Sequence, residues 1–140
     1  MKKITLILVF ALLSSTAFYG QASVKWNNQE SSLEAGETIS MNITYDMAGG
    51  DINYLAVQLR ESDKNTGIIK TYKFNPAVFK EGKDQDTIDF KYTVDEDIPS
   101  SEELDSGNYY ILLVFAEYLD EDGNKKYTDG NTKVTIESQE

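Results

Sequence analysis

The chain has 140 residues, a formal net charge of -11, and neither histidine nor cysteine. Nucleic acids and anionic membranes bind clustered Lys and Arg, so the acidity argues against both as partners. Without Cys or His the chain has no disulfide, no thiolate zinc site, no cysteine to carry a lipid, and no imidazole for catalysis or metal binding.

The first 22 residues are typical of a secretory signal peptide. Lys2 and Lys3 precede the apolar run 4–13, and small or polar residues follow as far as Ala22. We expect cleavage after Ala22, with Ala17 as the second choice, and the loss of both lysines takes the net charge to -13. The apolar run is too short to span a bilayer, so we expect no membrane insertion and a secreted or periplasmic protein.

The remaining residues, 23–137, predict a single all-β domain, with a frayed tail at 138–140. Short runs rich in Val, Ile, Tyr, Phe and Thr alternate with turn signals, and no long amphipathic helix is present. We predict seven strands: 23–26, 38–45, 53–61, 68–74, 87–94, 108–119 and 132–137. Seven strands suit a sandwich.

The acidic segment 94–107 predicts a long crossing connection of a Greek key, with a helical turn at 100–104. In the first strand, Val24 and Trp26 share a parity, and we assign both to the core.

The predicted strand 108–119 is apolar on both faces, so its parity has to be chosen. We assign Tyr109, Ile111, Leu113 and Phe115 to the core, and Tyr110, Leu112, Val114, Ala116 and Tyr118 to the outside. We assign the faces of the predicted strand 53–61 in the same way. Leu55, Val57 and Leu59 point inward, and the outward residues are Tyr54, Ala56, Gln58 and Arg60. We expect these two strands to be neighbours, with a second apolar face that is either covered or used for binding.

The segment Asp105-Ser106-Gly107-Asn108-Tyr109-Tyr110 resembles the corner before strand F of immunoglobulin-like domains. In those domains an acidic residue and a small pair precede a tyrosine whose hydroxyl bonds back to the loop. The resemblance gives this role to Tyr109. Ile111 stands where antibody-type domains have a cysteine, and the tryptophan of strand C is also missing, which excludes a true antibody-type domain.

The start of the mature chain is similar to accessory modules of secreted, polysaccharide-active bacterial proteins. In those modules a V-x-W strand precedes a short glycine turn, as Val24-Lys25-Trp26 precedes Ala35-Gly36-Glu37-Thr38 here. Together the resemblances imply a seven-stranded, antiparallel immunoglobulin-like or fibronectin-like β-sandwich with Greek-key topology.

The outward side chains of the predicted sheet form the candidate ligand-binding site: Tyr54, Gln58, Arg60, Tyr72, Tyr110 and Tyr118. Aromatic rings stack on sugar rings, and planar polar groups bind hydroxyls, so this set suits a polysaccharide. The alternatives are a protein partner at the same face, as in a structural or interaction domain of the cell envelope, or tyrosines that pack on one another.

Asp120, Asp122 and Asn124, with Asp129 further on, resemble part of a calcium loop. The closing glutamate of an EF-hand is absent, and Asp-Gly is also a common hairpin turn, so calcium and a plain turn are the two readings. We expect no other cofactor.

For catalysis, a glycosidase needs only two carboxylates. No carboxylate except Glu117 lies within an apolar stretch, and we expect Glu117, at the end of its strand, to meet water. A small sandwich also lacks a deep cleft. We therefore expect a non-catalytic binding module.

Overall fold

The structure, a computed structural model, describes residues 21–28, 30–62, 67–76, 78–79, 85–105 and 107–139. These ranges contain eight strands and one 3-10 turn, Ser101–Glu103. The strands are β1 (Ser23–Trp26), β2 (Ser31–Leu33), β3 (Thr38–Asp46), β4 (Asp51–Glu61), β5 (Ile68–Lys73), β6 (Gln85–Thr93), β7 (Tyr110–Leu119) and β8 (Lys125–Ile136). The expected signal peptide lies outside the described residues apart from its last two positions. No helix in the described part of the chain has the length and apolarity to cross a membrane.

The strands form two sheets. One has three strands in the order β1-β3-β6, and the other has five in the order β2-β8-β7-β4-β5. All neighbours are antiparallel except β2 and β8, which run parallel. The all-β sandwich is therefore confirmed, with eight described strands in place of the seven predicted.

The extra strand is β2, which is only three residues long. The sequence around Leu33 carries too short an apolar pattern to predict it. Tertiary contacts supply it, because Ser31, Ser32 and Leu33 pair with the end of β8, and the Glu137 N–H donates to the Leu33 carbonyl oxygen at 2.9 Å.

The strand β8 begins seven residues earlier than predicted, at Lys125. Asp129 and Gly130 lie within this strand, outside the predicted range 132–137. Gly130 has a packing role, because a Cβ built there would lie 2.4 Å from the Val24 carbonyl oxygen of β1. A residue without a side chain is what lets β1 approach β8.

The core lies between the two sheets. The inner residues of β4 are those predicted, since Leu55, Val57 and Leu59 are almost completely buried. They face apolar residues of β3 and β6, including Met41, Ile43, Ile88 and Phe90. Val24 is buried and Trp26 packs against the same core, with its ring 5.7 Å from that of Phe90 in an edge arrangement.

The acidic connection 94–107 leads from β6 in one sheet to β7 in the other, and it contains the predicted helical turn. Ser100 and Glu103 form a capping box, in which the Ser100 N–H donates to the Glu103 carboxylate at 2.8 Å. Ser101 is buried, and its hydroxyl oxygen accepts the Ile136 N–H at 2.7 Å. This turn is therefore fastened to the last strand of the five-stranded sheet.

Candidate binding face

The surface of the five-stranded sheet that points away from the core is called the outer face here. It carries alternate residues of β4, β5, β7 and β8, and the register fixes which residues they are. On β4 they are Tyr54, Ala56, Gln58 and Arg60, as predicted.

The parity predicted for β7 is wrong. Directly opposed residues of an antiparallel pair share a face, and the core residues Leu55, Val57 and Leu59 are opposite Ala116, Val114 and Leu112. The inner set of β7 is thus Tyr110, Leu112, Val114, Ala116 and Tyr118, all of which belong to the core. Tyr110 is 1% exposed and Tyr118 is 8% exposed, so neither belongs to the outer face.

Tyr110 takes the position that the resemblance gave to Tyr109. Its hydroxyl donates to the Pro99 carbonyl oxygen at 2.7 Å, which ties β7 to the connection before it. Tyr109 is half-buried and lies under the Lys133 ammonium group, 4.7 Å from the ring centroid.

One signal in the sequence could have given the correct parity. Glu117 has the same parity as Phe115 and Leu113, and a carboxylate near the end of a strand is normally exposed to solvent. The charged residue thus assigns the odd-numbered set to the outer face.

Tyr72 also points inward, contrary to the prediction. It is opposite the core residue Val57 and packs edge-on against Phe90 and Tyr92, with ring centroids 5.5 and 6.3 Å away. Burial raises the pKa of its hydroxyl above the ordinary value, although the nearby Lys70 opposes the shift. Of the six predicted ligand-binding residues, Tyr54, Gln58 and Arg60 lie on the outer face.

An aromatic cluster, formed by Tyr54, Phe115 and Tyr127, occupies one end of the outer face. Tyr54 meets Phe115 edge-on at 6.2 Å, and Phe115 stacks on Tyr127 at 5.4 Å with 22° between the rings. Tyr127 is 58% exposed, which makes it one of the few large apolar side chains in the described residues that water reaches freely. The prediction missed Phe115 and Tyr127, because one was assigned to the core and the other to a loop.

The other end of the outer face is basic. Arg60 is held along the sheet by Gln58, whose Oε1 accepts from Arg60 Nε at 3.1 Å and from Nη2 at 2.8 Å. Ile111 lies between Arg60 on β4 and Lys133 on β8 in the register. It is only 4% exposed, although it lies outside the central core. Long polar side chains on both sides account for its burial.

The four residues of the calcium prediction are divided between two elements. Asp120, Asp122 and Asn124 form the turn between β7 and β8, whereas Asp129 lies in β8 opposite Phe115. Asp120 Oδ1 accepts the N–H groups of Asp122 and Asn124 at 3.0 and 2.8 Å, and its Oδ2 lies 3.3 Å from Lys126 Nζ. The Asn124 N–H is the main cause of a lowered Asp120 pKa. In the described residues no three Asp or Glu side chains group closely enough to hold a metal ion. Calcium binding stays a prediction.

A cleft with a volume of about 750 Å³ lies elsewhere, beside the end of β8. Its lining is mainly polar and acidic: Ser32, Glu34, Glu102, Thr135, Ile136, Glu137, Ser138 and Gln139. Those carboxylates make it a poor site for an apolar or anionic ligand.

No protein family and no curated protein matches the chain. Among solved structures, the chain is similar to murine CRIg, with a TM-score of 0.51, 8% identity, and coverage of 85% of this chain and all of the other. A chain from the complex of a CaDoc0917 variant with CaCohA2 has a TM-score of 0.45 and 11% identity over 84% of this chain and all of that one. The second value is too low for any conclusion. The first agrees with the two-sheet β-sandwich described above. The chain folds as an immunoglobulin-like β-sandwich.

Proposed function

We propose that this chain is an exported, non-catalytic binding module that holds a protein partner on the outer face of its five-stranded sheet. The exposed aromatic cluster around Tyr127 carries this proposal. Tyr, Phe and Arg are enriched where proteins meet, and an aromatic anchor contributes most of its energy when a partner removes it from water.

The shape of the surface favours a protein over a small molecule. Small ligands are held in concave, mostly apolar pockets, whereas the outer face is a broad sheet surface. Three of its apolar residues, Ala56, Leu113 and Phe115, are neighbours in the register, and Phe115 is the partly exposed one. Around them lie Arg60, Lys133 and Asp129, which gives the apolar centre and polar rim of an interface.

A polysaccharide is the second candidate, supported by the free side of the Tyr127 ring. The aromatic surface open to a sugar is smaller than the sequence predicted. Tyr72, Tyr110 and Tyr118 point inward, and Tyr127 covers one side of Phe115. A sugar chain would therefore stack on a single ring, which is little for a flat polymer. A protein surface can use the whole outer face.

Photo-crosslinking tests the proposal. Tyr127 is replaced by p-benzoylphenylalanine, and the matched control carries the same group at Lys91, an exposed residue of β6 on the opposite sheet. We expect irradiation of cells that produce the protein to give a discrete protein adduct from position 127 and none from position 91. Equal adducts from both positions, or none from either, would contradict the proposal.

A glycan array distinguishes a polysaccharide partner from a protein partner. If the protein binds defined glycans and Tyr127→Ala abolishes that binding while Lys91→Ala does not, the partner is a polysaccharide and the protein proposal is wrong.

A further inference from the structure

The register arranges the outer face as rows that run across the strands. The middle row contains Gln58, Leu113 and Asn131. One row on either side contains Ala56, Phe115 and Asp129, and the other contains Arg60, Ile111 and Lys133. On these three strands, each residue of one flanking row has a counterpart in the other row, four positions along the same strand.

On β8 the two flanking rows carry opposite charges. Asp129 lies on one side of Asn131 and Lys133 on the other, both on β8. Neither forms an ion pair with another described residue; the pairs found there are Lys70 with Asp95, Lys125 with Glu117, and Lys126 with Asp120. Arg60 of β4 lies in the Lys133 row, and Lys73 of β5 lies opposite Ala56 in the Asp129 row. The charge reversal along the strands is therefore confined to β8.

A face with this pattern is complementary to itself. Consider a two-fold axis that lies in the interface and crosses the strands at the middle row. Rotation by 180° about this axis places each strand over its own copy and exchanges the two flanking rows. Asp129 then faces Lys133 of the second copy, and Lys133 faces its Asp129. An isologous interface needs this self-complementarity.

We propose that the protein partner of the outer face is a second copy of this chain, packed about that two-fold axis. This inference rests on the proposed function and names its partner. In the dimer Phe115 lies against the side chains that cover the partner's Ile111, Ala56 faces the partner's Arg60, and Tyr127 covers the partner's Thr135. The contact between Asp129 and the partner's Lys133 occurs twice, once on each side of the axis.

The size of the face sets the strength of the dimer. Three inter-strand spacings across β8, β7, β4 and β5 and eight residues of β8 give roughly 14 by 27 Å, or on the order of 400 Å² per copy between strand axes. That is below the ~800 Å² per partner of a standard interface. The acidic chains also repel each other at long range, and this repulsion weakens beyond about 10 Å at 0.1 M salt. We expect a reversible dimer that is weakest at very low salt.

Charge exchange tests the geometry. In Lys133→Glu the partner's Asp129 faces a carboxylate, and in Asp129→Lys the partner's Lys133 faces an ammonium group. Each variant alone should dimerise at least about tenfold more weakly, because like charges meet at both contacts. An equimolar mixture should recover the parent dissociation constant within about threefold, because its heterodimer has one native and one reversed pair.

Sedimentation velocity from micromolar to millimolar protein measures the dimer, circular dichroism checks that each variant is folded, and Lys91→Glu is the matched control of equal charge change. Monomer at every concentration of the parent protein would overturn the inference. So would a dimer that neither variant weakens, or two weakened variants whose mixture does not recover.

The crosslinking experiment separates the two proposals. Purified protein with p-benzoylphenylalanine at position 127 should give an adduct of twice the mass of the chain. An adduct of another mass, formed only in cells, would overturn the dimer and leave the protein-binding function standing.

Discussion

The hydroxyl of Tyr110 donates a hydrogen bond to the backbone carbonyl of Pro99 at 2.7 Å, and the tyrosine is almost completely buried. This single contact joins the long acidic connection to the first residue of β7. It also determines which face of β7 is buried, because it holds Tyr110 inside the sandwich and places Ile111 on the outer face.

We expect Tyr110→Phe to lower the free energy of unfolding by about 1–2 kcal/mol, because the Pro99 carbonyl loses its donor while the ring packing is kept. Urea denaturation followed by circular dichroism measures the change. Tyr109→Phe is the matched control and should change stability by less than about 0.5 kcal/mol. Equal losses in the two variants would show that Tyr110 does not hold the corner.

Alkaline pH should destabilise the protein through the same residue. Burial raises the pKa of Tyr110 to about 12, and Glu61 and Glu103 act in the same direction. Burial also raises the pKa of Tyr92. In the unfolded chain a tyrosine ionises near pH 10, so between about pH 10 and 12 the unfolded state loses protons that the folded state retains. Stability is therefore complete below about pH 10 and falls above it, by up to about 1.4 kcal/mol per pH unit for each such tyrosine.

The measurement is the urea midpoint between pH 8 and pH 11.5 for the parent protein and Tyr110→Phe. The variant should show the shallower decline above pH 10, since it has one fewer group to ionise. Parallel curves for the two proteins would contradict the assigned role of Tyr110.

Gly130→Ala should be strongly destabilising. The added Cβ would lie 2.4 Å from the Val24 carbonyl oxygen, and this obstacle is backbone, which cannot rotate away. Either β1 leaves β8 or β8 bends, at a cost of about 1–3 kcal/mol. Thermal melting measures the loss. The control is Gly67→Ala, because nothing lies within 4 Å of a Cβ at that exposed position. An unchanged melting temperature for Gly130→Ala would mean that the close approach of β1 and β8 is wrong.

Calcium should leave the melting temperature unchanged. The Asp120 carboxylate already accepts two backbone N–H groups and pairs with Lys126, and Asp129 points from the outer face. Differential scanning calorimetry in millimolar calcium and in excess chelator makes the test. An increase in melting temperature with calcium that is absent in Asp120→Asn would establish the calcium site that the turn sequence suggests.

The sequence predicted much of the fold from alternation alone. Where one side of a strand is apolar and the other polar, the core face follows directly, as in β3 with Met41, Ile43 and Tyr45 buried. It also predicted that β4 and β7 are neighbours, and which side chains of β4 point outward. The short β2 carried no such pattern, since a strand of three residues exists only through its partner.

The sequence by itself determined the acidic charge, the absence of thiol and imidazole chemistry, the all-β class, and the half of the outer face contributed by β4. Tertiary structure decided the rest, for a physical reason. A strand that is apolar on both sides buries a similar apolar area whichever face it turns to the core. The buried face of β7 is therefore decided by its register against β4 and by the hydrogen bond from Tyr110 to Pro99. The pairing of β7 with β8 brings Phe115 and Tyr127 together and places Asp129 and Lys133 on either side of a common row.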